Sequence, residues 1–445
     1  MKKMFVTLLS LFLCIGLSAC GKTTQSAATV DSLTETTSTS TAVVPGSTAD
    51  GENVSIQLPS AANHKTFKIG ILETQLSDES TIRVNYFRDY IAPRYNCEFM
   101  FSEACGDLNS VMTYIENAAD AGCDAILCYY TVPANTEQLV QLCQEYGMLF
   151  IENGGIVPAN EAAYKGGYEN FGGGFQANQP ATGRLFKDYL VATMDPADEH
   201  SFLIVSGSCY LGNMQQLEIT TNIMEAIAEI YGLTYEKTIN ELITSSSPIQ
   251  AVNDKDIEIY CYPGLPTASG WLEGLSAALQ TGKYDYLLIA PNAIGNIGNA
   301  VSEVESALDK DITIIGFGTF GTALTNAFNT KDKFGNQSVS MSTVKFTSLV
   351  SAMAFSKAYN MLTGHPEAVL TEDGNTNVLQ FKMESVTSAE QLAQMSDWDV
   401  PGKWVADYDI VDQMLVVNEP GLTAKEIQER TFAVNYESIK KRRSD

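Results

Sequence analysis

The sequence predicts an α/β protein made of two parallel-sheet domains in series. Short apolar runs alternate with helical patterns of crossover length from Phe67 onward, and strands separated in that way pair in parallel beneath covering helices. The rhythm pauses at Gly166-Gly167-Tyr168-Glu169-Asn170-Phe171-Gly172-Gly173-Gly174 and then restarts. Roughly 380 residues take part, more than one domain usually holds.

The first unit is the strand-like Phe67-Lys68-Ile69-Gly70-Ile71-Leu72, followed by apolar residues at helical spacing from Glu79 to Ile91. Cys97–Phe101 reads as the second strand, and Asp107–Ala121 as a helix with Asp107 and Asn109 as cap candidates. Asp124–Tyr129 and Met148–Glu152 are further strands, with the helix Pro133–Tyr146 between them. Beyond the glycines, Ser201–Val205, Ile257–Tyr262, Tyr284–Ala290 and Asp311–Phe317 read as strands. Helices are expected at Met214–Tyr231, Ala268–Gln280, Ile294–Leu308 and Thr322–Phe328. Thr234–Lys255 is longer than an ordinary connection and is expected to be an insertion with its own strand. Ser338–Met341 is a late strand, and Lys345–Leu362 is a long helix. The tail then offers one clear strand, Asn377–Met383, and a terminal helix opened by the capping box Thr423-Ala424-Lys425-Glu426. The expected division is 65–172 with 343–376 as the first domain, 173–342 with 377–420 as the second, and 421–445 as the terminal helix.

Ahead of these lies Met1-Lys2-Lys3, an apolar run from Phe5 to Leu17, and Leu17-Ser18-Ala19-Cys20, which together form an export signal rather than a spanning helix. The segment resembles a bacterial lipoprotein signal, which implies cleavage after residue 19, acylation of Cys20 and attachment to the outer face of the cell membrane. A plain signal peptide cleaved after Ala19 is the alternative. Residues 20–64 are Thr, Ser, Ala and Gly with few large apolar groups, the composition of a disordered tether.

The formal net charge of -26 argues against nucleic acid as a partner, since no basic stripe exists to replace counterions. Neutral or cationic small molecules fit better. Apart from Cys14 and Cys20, the cysteines are Cys97, Cys105, Cys123, Cys128, Cys143, Cys209 and Cys261, an odd number that cannot all pair. They lie mostly in apolar contexts without a C-x-x-C spacing, which argues for buried free thiols rather than zinc or redox chemistry. An exported chain with unpaired thiols points to a reducing, anaerobic setting.

From Lys65 to about Gly364 the chain resembles the type I periplasmic binding proteins of ABC sugar transporters, the ribose- and galactose-binding group. The resemblance rests on Phe67–Ile71, on Ala121-Gly122-Cys123-Asp124-Ala125-Ile126-Leu127, on Gly147–Ile151, on Asn178–Leu190, on Tyr284–Asn292 and on Ile312–Phe317, all in the family's order. It implies two Rossmann-like domains joined by a three-segment hinge, with a ligand enclosed by hinge closure. It also implies a monomer that hands its ligand to an ABC permease. This sequence departs from the family at its charged sugar clamps. Gly318 stands where an Asp is usual, Glu152-Asn153-Gly154 stands where an Arg is usual, and Gln215, Gln216 and Glu218 stand where a second Arg is usual. Those departures favour a larger or less charged ligand, an oligosaccharide, a glycoside or a nucleoside.

Ligands of parallel sheets bind beyond the carboxyl ends of strands. That rule selects Glu73, Gln75, Tyr129, Tyr130, Glu152, Asn153, Ser206, Tyr210, Tyr262, Asn292, Phe317, Phe320 and Ser342 as candidate ligand-binding residues. The set mixes aromatic faces with neutral hydrogen-bonding groups, which suits a sugar ring or a nucleobase. Catalysis is not expected. His64, His200 and His365 are the only histidines and are scattered, so neither a serine triad nor a histidine metal site is supported, and no metal or cofactor is expected. Gly316-x-Gly318-x-x-Gly321 has the dinucleotide spacing, but it follows a late strand and leads to Ser338–Ser342 with no acid at that strand's end. The expected function is capture of a small neutral ligand, a sugar or glycoside, for an ABC permease. A sensor lipoprotein for a receptor kinase and a nucleoside-binding lipoprotein are the alternatives, and a dinucleotide-dependent enzyme is a weaker third.

Overall fold

A computed structural model describes residues 64–130 and 132–444. The leader, Cys20 and the tether lie outside the described residues. Among the described residues thirteen strands run in the order β1 (Phe67–Glu73), β2 (Cys97–Ala104), β3 (Ala125–Cys128), β4 (Leu149–Asn153), β5 (Phe171–Ala177), β6 (Phe202–Gly207), β7 (Ile249–Gln250), β8 (Ile259–Pro263), β9 (Tyr286–Ile289), β10 (Thr313–Phe317), β11 (Val339–Val344), β12 (Val378–Phe381) and β13 (Glu384–Val386). They form two sheets, ordered β12-β5-β4-β3-β1-β2 and β13-β11-β10-β9-β6-β8-β7. All pairings are parallel except those of the short edge strands β7 and β13. Burial explains why the central strands read so clearly: β3 and β6 are buried at every position, the condition under which a strand becomes a continuous apolar run.

The helices follow their caps. Ser77 and Ser80 form a reciprocal box at the Asp78–Asn85 helix, and Asp107 with Ser110 does the same at Leu108–Asp120. The first helix passes into a π turn at Tyr86–Ile91 before Ala92–Tyr95, just ahead of Pro93, whose missing N–H cannot continue the α ladder. The insertion holds a short helix, Ile239–Ile243, and β7, which pairs antiparallel with β8. All seven described cysteines are free and buried.

Two expectations are corrected. The glycine-rich passage does not mark the step between domains, because Phe171–Ala177 is β5 of the first sheet. Its glycines record close packing: a Cβ on Gly172 would meet Ile151 at 2.8 Å, one on Gly173 the Asn377 carbonyl at 2.2 Å, and one on Gly174 the Gly154 carbonyl at 2.1 Å. The tail strand is also two strands. β12 joins the first sheet beside β5, and only β13 joins the second, so residues 377–381 return to the first lobe.

Three segments therefore cross between the lobes, at Asn178, at Lys345-Phe346 and at Lys382-Met383. The Asn178 amide donates to the Phe381 carbonyl at 2.7 Å, which holds the first and third crossings side by side. Beyond β13 the tail spans both lobes. The Ala389–Asp397 helix packs on Thr322–Asn329 of the second lobe. On the first lobe, Tyr408 stacks on Tyr90 at 4.0 Å, and Asp412 takes hydrogen bonds from Arg94 at 2.6 Å and Tyr95 at 2.7 Å. Among the described residues no helix is long and apolar enough to cross a membrane.

Candidate functional site

The carboxyl ends of the two sheets face each other, and one hydrogen-bonded contact joins them directly. Asp78, just beyond β1, accepts hydrogen bonds from the Thr322 amide at 2.7 Å and the Thr322 hydroxyl at 2.9 Å, just beyond β10. The Thr322–Asn329 helix has Gly321 at its N-cap and no side-chain cap of its own, so an acid from the opposite lobe satisfies its first free N–H. Gly321 is part of that fit, because a Cβ there would stand 3.0 Å from the Asp78 carboxylate. The Thr322 amide hydrogen bond holds the Asp78 carboxyl below the ordinary carboxylate value. Its bonds to Thr322 are thus complete above that value and lost as pH falls through the lowered one. Asp78→Ala is expected to open the lobes, seen as a larger radius of gyration in small-angle X-ray scattering at neutral pH. An unchanged radius would show that the crossings and the tail set closure without the clasp.

Beside this clasp lies a charge-balanced group. Arg83 donates to Glu73, and to Glu79 at 2.8 Å; Lys345, on the second crossing, lies 3.1 Å from Glu79. The Arg83 guanidinium also covers the Tyr129 ring at 3.6 Å. Burial opposes ionisation of Glu79, but Lys345 and Arg83 outweigh it and keep the carboxyl below its ordinary value. Two acids and two cations thus cancel at the junction, and neither cation is left to grip a charged ligand.

The residues selected by sequence divide in two. Glu73 and Tyr129 face the Asp78–Asn85 helix through Arg83, and Tyr129 packs edge-on to Phe175 at 5.4 Å. Tyr130 turns to the opposite layer, where Asn135 donates to its hydroxyl. Glu152 accepts from Thr136 at 2.7 Å, Tyr164 at 2.8 Å and Asn160 at 3.2 Å, and burial raises its carboxyl above the ordinary value. Tyr262 donates to the Trp271 carbonyl, Phe320 packs against Phe346 at 5.9 Å, and Phe317 is buried in the core. Ser206 and Ser342 are buried at strand ends. The remaining four are more open: Gln75 and Asn292 are exposed, and Asn153 and Tyr210 half-buried. Asn292 reaches only Thr319, at 3.4 Å, and the side chains of the other three make no hydrogen bond among the described residues.

The Gly316-x-Gly318-x-x-Gly321 loop is explained by packing. A Cβ on Gly318 would lie 2.6 Å from the Ser342 hydroxyl and 3.2 Å from Leu324, so no side chain fits where the sugar-binding family carries Asp. Asp78 escaped the sequence reading because an acid in the first turn of a helix looks solvated; the uncapped Gly321 was the one available signal. Away from the cleft, carboxylates of Glu305, Asp311 and Asp332 gather within 4.8 Å near the start of β10, with Glu305 pushed up to about 7 by burial. The Ile312, Phe334 and Asn336 amides and the Asn336 side chain already bond to these acids.

No family model matches the sequence, and no curated protein is similar to it. Solved structures do share the architecture. An ABC transporter solute-binding protein from Bacillus halodurans with bound myo-inositol is 16% identical, with a TM-score of 0.51 over 75% of this chain and 98% of its own. A solute-binding protein from Clostridium phytofermentas with bound L-rhamnose is 10% identical, with a TM-score of 0.50 over 75% and 98%. The chain has the type I periplasmic-binding-protein fold. That fold also serves other roles: a protein from Bacteroides fragilis assigned to the LacI transcriptional regulators matches at 12% identity and a TM-score of 0.50, over 74% and 99%. Function must therefore be argued from the cleft.

Proposed function

We propose that this chain is an extracytoplasmic solute-binding protein that captures a small neutral ligand of sugar type between its lobes. Anchored through Cys20, it would present that ligand to an ABC permease. The observation that carries the reading is the composition of the facing strand ends: the charges there are paired with one another, while Gln75, Asn153, Tyr210 and Asn292 keep neutral hydrogen-bonding groups to offer. Amides and hydroxyls of that kind match the alternating donors and acceptors of a polyhydroxylated ring. Two solved structures of the same fold hold myo-inositol and L-rhamnose, which are neutral polyols. The three crossings and the clasp supply a hinge whose closed form a ligand can favour.

The test is thermal unfolding of the full chain against a panel of neutral sugars, cyclitols, nucleosides and amino acids. A ligand of the closed form at about a hundred times its Kd adds about 2.7 kcal/mol of stability and raises the midpoint. A shift confined to nucleosides or amino acids, with none from any carbohydrate, would overturn the sugar assignment.

A further inference from the structure

We infer that the ligand is an amphipathic glycoside, a neutral sugar carrying an aromatic or branched aliphatic aglycone, rather than a bare sugar. The inference rests on the sugar-capture reading above and names the ligand class for that same cleft. Its basis is where the fold leaves apolar side chains in water. Of the twelve large apolar residues that stay exposed among the described residues, six lie just beyond the carboxyl ends of parallel strands, in loops or short turns or at the first residue of the next helix. Leu76 follows β1, Val132 follows β3 and Ile156 follows β4, three adjacent strands of the first sheet. Leu211 and Met214 follow β6, and Leu265 follows β8, its neighbour in the second. Leu76 is 67% exposed and Leu211 64%, the two highest values in the set.

Scattered apolar residues on a surface need no account, but a concentration on the two facing ends of a cleft does. Interleaved with them are Gln75, Asn153 and Asn292, whose amides suit hydroxyls and would be left unmet by a purely apolar guest. The balanced Glu73, Glu79, Arg83 and Lys345 group leaves neither cation free for a carboxylate or phosphate. A guest that satisfies all three features is uncharged, polyhydroxylated at one end and apolar at the other.

The experiment is isothermal titration of the full chain with matched series: each sugar of the panel free, as its methyl glycoside and as its phenyl glycoside, in both anomers. For the sugar that binds, the phenyl glycoside is expected to bind about tenfold to a hundredfold tighter than the methyl glycoside, the effect of burying one ring. Leu76→Ser and Leu211→Ser are expected to bring that ratio down toward one. Val191→Ser and Leu308→Ser, equally apolar but on helices away from the strand ends, should leave it unchanged. Exposed positions of this kind are replaced with little effect on folding. Equal affinities for phenyl and methyl glycosides would overturn this inference, keep the sugar-capture reading, and leave the apolar loops to a protein partner. Absence of binding by every sugar and glycoside would overturn both.

Discussion

Arg83→Met is expected to be among the most damaging single changes in the first lobe, lowering its stability by about 3–5 kcal/mol. The side chain is 3% exposed and joins three groups at once: Glu73, Glu79 and the face of Tyr129. Methionine would fill much of the volume but leave Glu73, itself 4% exposed, as a buried carboxylate without a cation. An unpaired buried charge is what makes a broken pair costly, more than the attraction lost. Glu79 would keep Lys345 at 3.1 Å and so should suffer less. The double change Glu73→Leu with Arg83→Met removes both charges and should recover most of the loss, because an apolar pair of similar volume costs little. Calorimetry would read the difference as a midpoint lowered by about 10 °C in the single variant and by a few degrees in the double. A double variant no more stable than the single would mean that the guanidinium acts mainly through Tyr129, not by neutralising Glu73.

That network also marks the limit of what the sequence makes legible. The strands were readable because their residues are buried on both faces, which imposes an apolar run that no loop would carry. The selection of strand ends as the site followed from topology alone. Which way each strand-end side chain turns did not, because the pleat alternates: Tyr129 and Tyr130 are neighbours in sequence, yet one meets Arg83 and the other Asn135 on the opposite layer. Polar residues selected as ligand contacts, Glu73 and Glu152 above all, have partners 10 and 16 residues away whose position depends on the finished packing. The glycines of β5 misled for a related reason. In a linear reading glycine signals a turn, whereas here it signals how closely the residues leading into β12, those after β4 and the Thr347–Leu362 helix approach. The tail was obscure because it forms no sheet or core of its own; it is defined by what it touches on both lobes.

Lys357→Met tests the most unusual charge in the fold, and its effect is expected to depend on pH. Lys357 lies in the Thr347–Leu362 helix, 1% exposed, and among the described residues no acid bonds to it. Its amine donates to the Gly172 carbonyl at 2.8 Å, to the Asn377 carbonyl at 3.3 Å and to the Asn377 side chain. Gly172 is the extra residue where β4 and β5 slip register, so its carbonyl needs a donor from outside the ladder. The lysine therefore ties the bulge in β5 to the chain entering β12, at the end of that strand pair remote from the crossings. Burial lowers its pKa from 10.5 to about 7. Between those two values the unfolded chain holds a proton that the folded one has released, so stability rises with pH across that window. Below it the lysine is charged in both states and its burial cost is complete; above it the amine is neutral in both and the cost vanishes. Relative to Lys357→Met, which has no such group, the wild-type protein should gain on the order of 4 kcal/mol from pH 6 to pH 10.5, most of it above pH 7. Methionine, by contrast, leaves the Gly172 carbonyl unmet at every pH, so the variant should be least harmful in acid and most harmful in base. Urea unfolding of both proteins at matched pH values measures the difference directly, since other titrating groups cancel between them. Parallel pH profiles would mean that the three carbonyl-type acceptors stabilise the ammonium enough to offset its burial, and that Lys357 stays charged throughout.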